Sequence, residues 1–468
     1  MLTEPNLNKM SIDLPAHIFK AYDIRGIVGD SLTSQNVYWI GRSIGATALE
    51  SGNNEIVVGR DGRLSGPQMS EALCNGLKES GINVIDIGMA PTPVVYFATH
   101  HLACGSSVSV TGSHNPPDYN GFKVMINGQT LHGDAITTLY DRIINQDLPT
   151  GSGSSRKLDM SQTYIDRICS DISITRRLKI VMDCGNGIAG AIAPQLYRAL
   201  GLDIIELYSE VDGNFPNHHP DPVDEKNLID LKAAVLQHKA DFGIAFDGDG
   251  DRLGVVSSDA EVIWPDRQMI LYAQDTLSRN PGAEILFDVK CTRSLPQAII
   301  KAGGKPIMYK TGHSLIKAKL NSSDAILAGE MSGHIFFKER WYGFDDGLYT
   351  GARLCELISA KQQSAAEIFR ALPKTLITPE LRLELNEGEG HSMIEKLKDI
   401  ASFENADVST IDGLRVDWPF GFGLSRASNT TPTVILRFEA DSESNLNYIK
   451  EEFRSLFKKI NNCIQLPF

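Results

Sequence analysis

The chain has 468 residues, enough for roughly three or four domains of ordinary size. Hydrophobic residues make up 42% of it and charged residues 22%, which is typical of globular proteins and excludes a disordered or fibrous chain. With 45 basic and 58 acidic residues the net charge is −13, which argues against a general surface for nucleic acids or anionic membranes.

The distribution of apolar residues and cysteines predicts the compartment. The first residues, MLTEPNLNKMSIDLP, lack the apolar segment of a signal peptide, and no apolar run is long enough to span a bilayer. The seven cysteines are scattered and include no Cys-x-x-Cys pair, so neither a zinc site nor a disulfide framework fits. We therefore expect a cytoplasmic protein with reduced thiols and with neither a membrane nor a nucleic acid as partner.

Three copies of one pattern follow one another along the chain. Each copy has a strand-like run, a helical-looking stretch, a second run that starts with a glycine, and a third strand. In the three copies these runs begin at Glu55, Gly81 and Ser106; at Lys179, Gly201 and Asp241; and at Glu284, Gly303 and Asp324. The third strands lead into the loops TGSHNP, DGDGDR and GEMSGH.

This alternation of strands and helices predicts the fold class. It favours βαβ units with mostly parallel sheets, in which ligands gather at the carboxyl ends of the strands. We predict three related α/β domains with mixed or parallel sheets, followed by a small α+β domain. Their predicted ranges are 1–156, 157–260, 261–372 and 373–468.

The loop after the third strand of the first copy carries a candidate nucleophile. Ser113 follows the point at which the apolar run ends. Pro116 and Pro117 restrict the backbone, so we expect Ser113 and His114 to lie on a rigid, non-helical turn. We also expect the hydroxyl to be presented at the mouth of the strand and not buried. For this segment alone a surface turn is the alternative, because Ser, Asn and Pro are common in turns.

The corresponding loop of the second copy predicts a magnesium site. Asp247, Asp249 and Asp251 alternate with glycines, and three such close charges repel one another unless a cation neutralises them. Oxygen ligands favour magnesium over zinc or copper and leave room for a phosphate. A calcium EF-hand is excluded because Arg252 and Ser258 stand where glycine and glutamate are required. A solvated acidic turn is the remaining alternative.

Three further motifs are less specific. Residues 185–190, GNGIAG, match a dinucleotide-binding pattern, but the equivalent turns of the other copies lack it, so we interpret them as a tight turn. The segment RASNTT, residues 426–431, offers a guanidinium and short donors that suit a phosphate dianion. The cluster Arg60-Asp61-Gly62-Arg63 is equally typical of a structural ion pair.

Four longer motifs occur in order over nearly the whole chain: TGSHNPPDYNGFK, DGDGDRLG, GEMSGHIFFKERWYGFDDG and RASNTT. Their sequences resemble the signatures of the α-D-phosphohexomutase family, and within it those of the bacterial phosphomannomutase/phosphoglucomutases. The resemblance implies four domains around a central cleft and a phosphoserine at Ser113. It also implies one Mg²⁺ per chain, held by Ser113 with Asp247, Asp249 and Asp251. One departure is Gly112, where many relatives carry alanine.

The resemblance also implies which residues face the sugar. Glu330 and Ser332 would bind its hydroxyls with His334 nearby, and the RASNTT loop would grip the substrate's other phosphate. The other expected substrate-binding residues are Tyr22, Arg25, Lys290, Arg426, Ser428, Asn429 and Thr430. The expected catalytic residues are Ser113, His114, Lys123, Arg252 and His313, with Lys123 or His313 as the general acid or base.

These observations predict reversible transfer of phosphate between C1 and C6 of mannose and glucose phosphates, through a phosphoserine enzyme and a hexose 1,6-bisphosphate. A serine that carries phosphate needs only positioning and charge neutralisation, because phosphoryl transfer is largely an electrostatic problem. We expect glucose 1,6-bisphosphate or mannose 1,6-bisphosphate as activator and a monomer or weak homodimer. The alternatives are a phosphoglucosamine mutase and a phosphosugar-binding protein without turnover.

Overall fold

The computed structural model describes residues 12–386, 388–429 and 431–468. The strands within these ranges form four sheets, and each sheet defines one domain, numbered I to IV along the chain. In the same ranges no helix has both the length and the apolar character that crossing a membrane requires.

Domain I has a central sheet in the order β1-β5-β4-β2-β3-β7, with β6 beside β5. Its strands and helices are β1 Ile24–Ile27, α1 Ser34–Glu50, β2 Glu55–Arg60, α2 Gly66–Ser80, β3 Asn83–Met89, α3 Thr92–His101, β4 Ser107–Val110, β5 Tyr119–Ile126, β6 Gln129–Thr130, α4 Asp134–Asn145 and β7 Ser155–Lys157. The last strand of the domain, β7, pairs parallel with β3.

Domain II has the strand order β11-β10-β8-β9. Its elements are α5 Ser161–Asp171, β8 Lys179–Asp183, α6 Ala193–Ala199, β9 Asp203–Leu207, α7 Ile229–His238, β10 Phe242–Phe246 and β11 Leu253–Ser257.

Domain III has the strand order β13-β12-β14-β15. Its elements are α8 Pro265–Arg279, β12 Glu284–Asp288, α9 Ser294–Lys301, β13 Lys305–Tyr309, α10 His313–Asn321, β14 Ala325–Gly329, β15 Ile335–Phe337, α11 Gly347–Ser359 and α12 Ala365–Arg370.

Domain IV is an α+β unit whose strands pair antiparallel. Its elements are β16 Leu376–Ile377, β17 Leu381–Glu384, α13 Glu389–Ile400, β18 Asp407–Ser409, β19 Leu414–Trp418, β20 Gly421–Ala427, β21 Thr433–Ala440 and α14 Glu443–Ile460. The predicted fold class is therefore confirmed for all four domains.

The repeat predicted from the sequence is present, with one addition. In domains I, II and III the three predicted strands are parallel and stand in the same spatial order, second, first, third. A fourth strand then pairs antiparallel with the third: β5 in domain I, β11 in domain II and β15 in domain III. The candidate loops therefore connect the third strand to an antiparallel neighbour and not to a helix.

The glycine that opens the second strand of each copy has a conformational reason. Gly81, Gly201 and Gly303 follow α2, α6 and α9, and all three have a positive φ, between 81° and 103°. A left-handed residue ends a helix, and glycine adopts this conformation without a steric penalty. The three helices therefore stop at equivalent positions before the next strand begins.

Domains I, II and III share an apolar cluster, whereas domain IV has a separate one. One apolar cluster runs from Val57 in domain I through domain II to Leu372 in domain III, so these domains pack as one body. Domain IV has its own cluster, and only Val289 with Phe422 and Leu424 forms a core across its border with domain III within the described residues. Domain IV is therefore the part of the chain with the least apolar attachment.

Candidate active site

The candidate serine lies where domains I and II meet. After β4 the backbone forms a turn in which the Asn115 N–H donates to the Gly112 carbonyl at 2.9 Å. This turn confirms the predicted non-helical loop. The expected exposure of Ser113 is wrong, because only 2% of it is accessible. Its Oγ lies 3.2 Å from Asp247 Oδ2 in domain II and 3.1 Å from His114 Nδ1. The second domain covers the mouth of the strand.

The aspartate loop follows the fully buried strand β10. The carboxylates of Asp247, Asp249 and Asp251 are inaccessible to solvent, and each offers an oxygen within 4.8 Å of the others. Gly248 permits this close packing, because a Cβ there would lie 2.2 Å from the Ser113 carbonyl oxygen. The serine and aspartate loops are therefore in direct backbone contact.

The charges of these carboxylates depend on one lysine. Lys123, on β5, donates from Nζ to Asp249 Oδ2 at 2.8 Å and also to Asp251. Burial opposes ionisation of Asp249, but Lys123 outweighs it and lowers the pKa of that carboxyl. Burial and repulsion by Asp251 and Asp249 raise the pKa of Asp247 well above its usual range. Lys123 thus pairs with two of the three carboxylates, and Asp247 is the one whose charge is disfavoured.

This donor set fits a magnesium ion. Asp249 Oδ1 and Asp251 Oδ1 are buried and form no hydrogen bond with any described residue, so their lone pairs are available. Unpaired carboxylate oxygens are costly to bury unless a cation binds them, and hard oxygen donors match Mg²⁺. The buried triad is therefore able to hold a metal ion.

Arg252 and His334 connect this cluster to domain III. The Arg252 N–H donates to Asp247 Oδ1 at 3.2 Å, and its Nε lies 3.1 Å from His334 Nε2. His334 Nδ1 in turn lies 3.5 Å from Asp251 and 3.0 Å from Asp345. The loops of domains II and III therefore meet at the aspartates.

The two histidines of domain III stack on each other. The rings of His313 and His334 are 5.2 Å apart at an interplanar angle of 22°. His313 begins α10, and its Nδ1 lies 3.6 Å from Asp345, which also accepts from Lys317 Nζ at 2.8 Å. Burial, followed by the charge of Lys317, lowers the pKa of His313 well below its usual range. Its imidazole is therefore neutral near pH 7.

Glu330 lies directly after β14. Its Oε1 accepts from the Gly312 N–H at 2.6 Å, and its buried Oε2 forms no hydrogen bond with any described residue. Burial raises the pKa of Glu330 to about 7. Ser332 is half-buried on the same loop. An unpaired oxygen here can accept a hydrogen bond from a sugar hydroxyl.

The RASNTT loop of domain IV contacts domain I. The Asn429 side-chain amide donates to the Tyr22 hydroxyl, which donates to the Thr311 carbonyl at 3.1 Å. Arg426, at the end of β20, donates from Nε to Asp412 at 3.0 Å. The Ser428 N–H donates to the Thr433 carbonyl. Thr430, which was also expected here, lies outside the described residues.

Two other expected cations contact groups outside the aspartate cluster. Lys290, which is 7% accessible, has its Nζ 3.0 Å from Glu380 Oε1 in domain IV. Arg25 donates to Asp23 and to the side chain of Asn115 in the serine loop. The first faces domain IV and the second supports the serine loop.

Sequence reasoning missed several buried residues of this site. Asp345 accepts from Lys317 and faces both histidines, and Thr92 donates to Asp249 Oδ2 at 2.6 Å. Asp345 stands within the motif GEMSGHIFFKERWYGFDDG, which was a usable signal. Thr92 has no motif around it, and only the approach of domain II to α3 identifies it.

Family models match nearly the whole chain. They are described as phosphoglucomutase/phosphomannomutase alpha/beta/alpha domains I, II and III, at residues 16–149, 162–260 and 264–376, and as the C-terminal domain, at residues 380–456.

Individual proteins are similar over the same length. A phosphomannomutase/phosphoglucomutase of Pseudomonas aeruginosa is 53% identical over 455 residues, which cover 97% of this chain and 98% of the relative. A phosphoglucomutase of Neisseria gonorrhoeae is 53% identical over 446 residues, covering 94% and 96%. A crystal structure of a phosphoglucomutase/phosphomannomutase family protein from Burkholderia thailandensis has a TM-score of 0.93 and 51% identity, covering 97% and 100%.

Proposed function

The chain belongs to the phosphoglucomutase/phosphomannomutase family and is a phosphosugar mutase, and from that premise we propose how its residues move a phosphoryl group between C1 and C6 of mannose and glucose phosphates. Ser113 carries the phosphoryl group, and a hexose 1,6-bisphosphate is the intermediate. One observation carries the proposal: the Ser113 hydroxyl lies 3.2 Å from an aspartate of a three-carboxylate cluster in another domain.

The aspartates and Ser113 would hold the metal, which we propose to be one Mg²⁺. Bound there, it would neutralise charge on the phosphoryl group. Arg252 supplies further positive charge beside Asp247, and the neutral His114 donates to or accepts from the serine oxygen without adding charge. Burial, followed by the charge of Arg252, lowers the pKa of His114 well below its usual range, which supports the neutral form.

The general base that we propose is His313. A sugar hydroxyl that attacks phosphorus must lose a proton, and the neutral imidazole of His313 can accept it. Lys123 is the weaker candidate: burial disfavours its charge, but Asp249 and Asp251 outweigh burial and raise its pKa well above the usual range. It therefore remains charged and keeps the aspartates in place. The transfer forms a bond between the sugar oxygen and phosphorus and breaks the bond between phosphorus and the Ser113 oxygen. The Ser113 oxygen then takes up one proton, which balances the proton that the sugar hydroxyl lost.

The substrate must fit in two orientations, because each phosphate in turn reaches Ser113. Glu330 and Ser332 would bind two neighbouring sugar hydroxyls, which roughly exchange places when the sugar turns round. The distal phosphate would be held by Tyr22, Lys290, Arg426, Ser428, Asn429 and Thr430, with Arg25 beside the serine loop. The carboxylates of Asp412 and Glu380 now neutralise Arg426 and Lys290, and a phosphate dianion would compete for both cations.

The remaining proposals concern the state of the protein. Glucose 1,6-bisphosphate or mannose 1,6-bisphosphate would act as activator, because either can phosphorylate Ser113. We also propose that the protein is a monomer or a weak homodimer. The seven cysteines are unpaired, which supports a cytoplasmic location.

Intact-mass measurement tests the carrier. We expect the protein to gain one phosphoryl group on treatment with glucose 1,6-bisphosphate and Mg²⁺, and the gain to vanish in Ser113→Ala. The variant should lose about 1000-fold or more of its mutase activity because the nucleophile is absent, yet still bind glucose 1-phosphate.

The matched control is Ser154→Ala, an exposed serine in domain I that bonds to Asn83. It should keep full activity and the mass gain. A wild-type protein that never gains phosphate, or a Ser113→Ala variant with full activity, would contradict the proposal. Activity confined to glucosamine phosphates would instead identify a phosphoglucosamine mutase.

A further inference from the structure

We propose that Arg63 is a positioning residue that holds the phosphate-carrying loop in register with the aspartate loop, and that Phe215 of domain II fixes Arg63 in place. This inference rests on the proposed function, because it takes Ser113 as the phosphate carrier. The cluster around Arg63 is the one that the sequence left open as a structural ion pair.

The guanidinium of Arg63 binds the serine loop at four points. Its side chain is inaccessible to solvent. Nη2 donates to the carbonyls of Ser113 at 2.9 Å and Asn115 at 2.6 Å, and Nη1 donates to those of Tyr119 at 2.9 Å and Pro116. A planar fork with several donors can satisfy these carbonyls together, whereas a lysine ammonium cannot reproduce its geometry.

The serine loop needs such support. Ser113 has a φ of +50°, a left-handed conformation that residues other than glycine adopt only where the surroundings hold them. The loop cannot form regular backbone pairs either, because Pro116 and Pro117 lack N–H groups. Its buried carbonyls must therefore find donors elsewhere, and Arg63 provides them.

Asp61 pairs with Arg63 and with the serine loop, and Gly112 leaves room for the Arg63 guanidinium. Asp61 Oδ2 lies 3.3 Å from Arg63 Nε and accepts from Thr111 Oγ1 at 2.8 Å and from the Gly112 N–H at 3.2 Å. A Cβ at position 112 would lie 2.4 Å from Arg63 Cζ. The missing side chain of Gly112 therefore gives the guanidinium its access to the loop.

Domain II contacts the same arrangement from the other side. The Phe215 ring lies 5.3 Å from Arg63 Cζ, within the range of a cation–π contact. A Cβ on Gly213 would lie 2.8 Å from Arg63 Cα, so the backbones are in close contact there as well. The Ser113 carbonyl that accepts from Arg63 is also the atom against which Gly248 packs. Arg63 thus links the position of the carrier to that of the aspartates.

Three variants test this proposal. Arg63→Lys keeps the charge opposite Asp61 but loses the fork, and Phe215→Leu removes the ring face at a half-buried position while leaving Arg63 intact. Arg42→Lys is the matched control, because Arg42 is a buried arginine of domain I that donates to the carbonyls of Pro149 and Leu148 away from the site. Each is measured for the rate of phosphoryl uptake at Ser113 from glucose 1,6-bisphosphate, for kcat and KM, and for binding of glucose 1-phosphate.

We expect Arg63→Lys to slow phosphoryl uptake and kcat about 10-fold or more, and Phe215→Leu about 3-fold, because a misplaced nucleophile reacts slowly. KM and glucose 1-phosphate binding should stay within about 2-fold, since the sugar-binding residues are untouched. Arg42→Lys should match the wild type in every measurement.

Full uptake rates in Arg63→Lys would overturn the proposal. So would a loss of binding in proportion to the loss of rate, which would indicate a general structural role. If Arg63→Lys fails to fold, Phe215→Leu decides, and an unchanged rate there would overturn the proposal. A wild-type protein that takes up no phosphate would refute the proposed carrier role of Ser113 itself, which separates the two failures.

Discussion

At the scale of single residues, burial sets the charges of this site. The pKa of Glu330 is raised to about 7 mainly by its burial, and the neutral imidazole of His313 has the same principal cause. Neither effect can be predicted from neighbours in the sequence, because groups that surround these side chains, such as Gly312 beside Glu330 and Tyr22 beside His313, lie far from them along the chain. At neutral pH the site therefore combines a partly protonated Glu330 carboxyl with a neutral His313 imidazole.

The protonation of Glu330 predicts a pH dependence of stability. Its pKa is higher in the folded protein, about 7, than its ordinary value of 4.5, so the folded state binds the extra proton between these values. The contribution of Glu330 to the free energy of unfolding is fully present below its unfolded pKa of 4.5. This contribution is lost as the pH rises through about 7, and the loss amounts to up to about 3 kcal/mol. We expect Glu330→Gln to lack this loss, and so to melt at a higher temperature than the wild type at pH 8.5 but at a similar temperature at pH 5.

Thermal unfolding of the unliganded protein across this pH range checks the expectation. Glu404→Gln, at an exposed position of domain IV, is the control and should follow the wild-type curve. Parallel curves for Glu330→Gln and the wild type would show that Glu330 is ionised in the folded protein throughout.

At the scale of secondary structure, a helix cap joins domains II and III. Asp346 caps α11 by accepting from the Tyr349 N–H at 2.9 Å, and the buried Tyr164 of α5 donates to the same carboxyl at 2.8 Å. Ser364 caps the short helix α12 in a capping box with Glu367, but at an exposed position. The two caps use similar chemistry, and only the first also connects two domains.

We expect Asp346→Ala to lower the free energy of unfolding by about 3 kcal/mol, because it removes the cap and leaves the Tyr164 hydroxyl buried without a partner. Ser364→Ala should cost only about 1 kcal/mol, the ordinary value of an exposed cap. Urea unfolding of both variants measures the difference. Equal losses would mean that the Tyr164 contact contributes nothing beyond the cap.

At the scale of the whole molecule, domain IV shares little apolar core with the other domains within the described residues. Besides its small shared apolar cluster, it contacts domain III through Arg415 and Arg437, which donate to the carbonyls of Val289 and Lys290 at 2.6 Å. It also contacts domain I, because the Asn429 side-chain amide donates to the Tyr22 hydroxyl. The proposed sugar phosphate would contact domain IV on one side and domain I on the other and would have to enter and leave, so we predict that domain IV swings.

We therefore expect the radius of gyration to fall when glucose 1-phosphate and Mg²⁺ are added, as measured by small-angle X-ray scattering. Asn429→Ala should weaken closure and raise KM about 5-fold, the equivalent of one lost hydrogen bond. Asn445→Ala, on α14 beside Asp441, is the control and should leave both quantities unchanged. Identical scattering profiles with and without ligand would contradict the movement.

The sequence by itself determined the three-fold repeat, the fold class and the candidate loops. These features are local, because an apolar run, a helix-ending glycine or a polar segment at a strand end is each recognised from a few neighbouring residues. Ser113 and the three aspartates could be selected for the same reason, since each loop carries its chemistry in adjacent positions. The fourth, antiparallel strand in each of domains I to III was missed, although β5 carries Lys123.

Only the tertiary structure decided how these loops act on one another. The sequence predicted an exposed Ser113 hydroxyl. In the structure Ser113 is buried, because the aspartate loop of domain II covers it. The tertiary structure also brought Asp345 to His313, Lys123 to the aspartates and Arg63 to the carbonyls of the serine loop. These contacts join residues that are far apart in the chain or in different domains, so their desolvation and charge coupling exist only after the domains have packed.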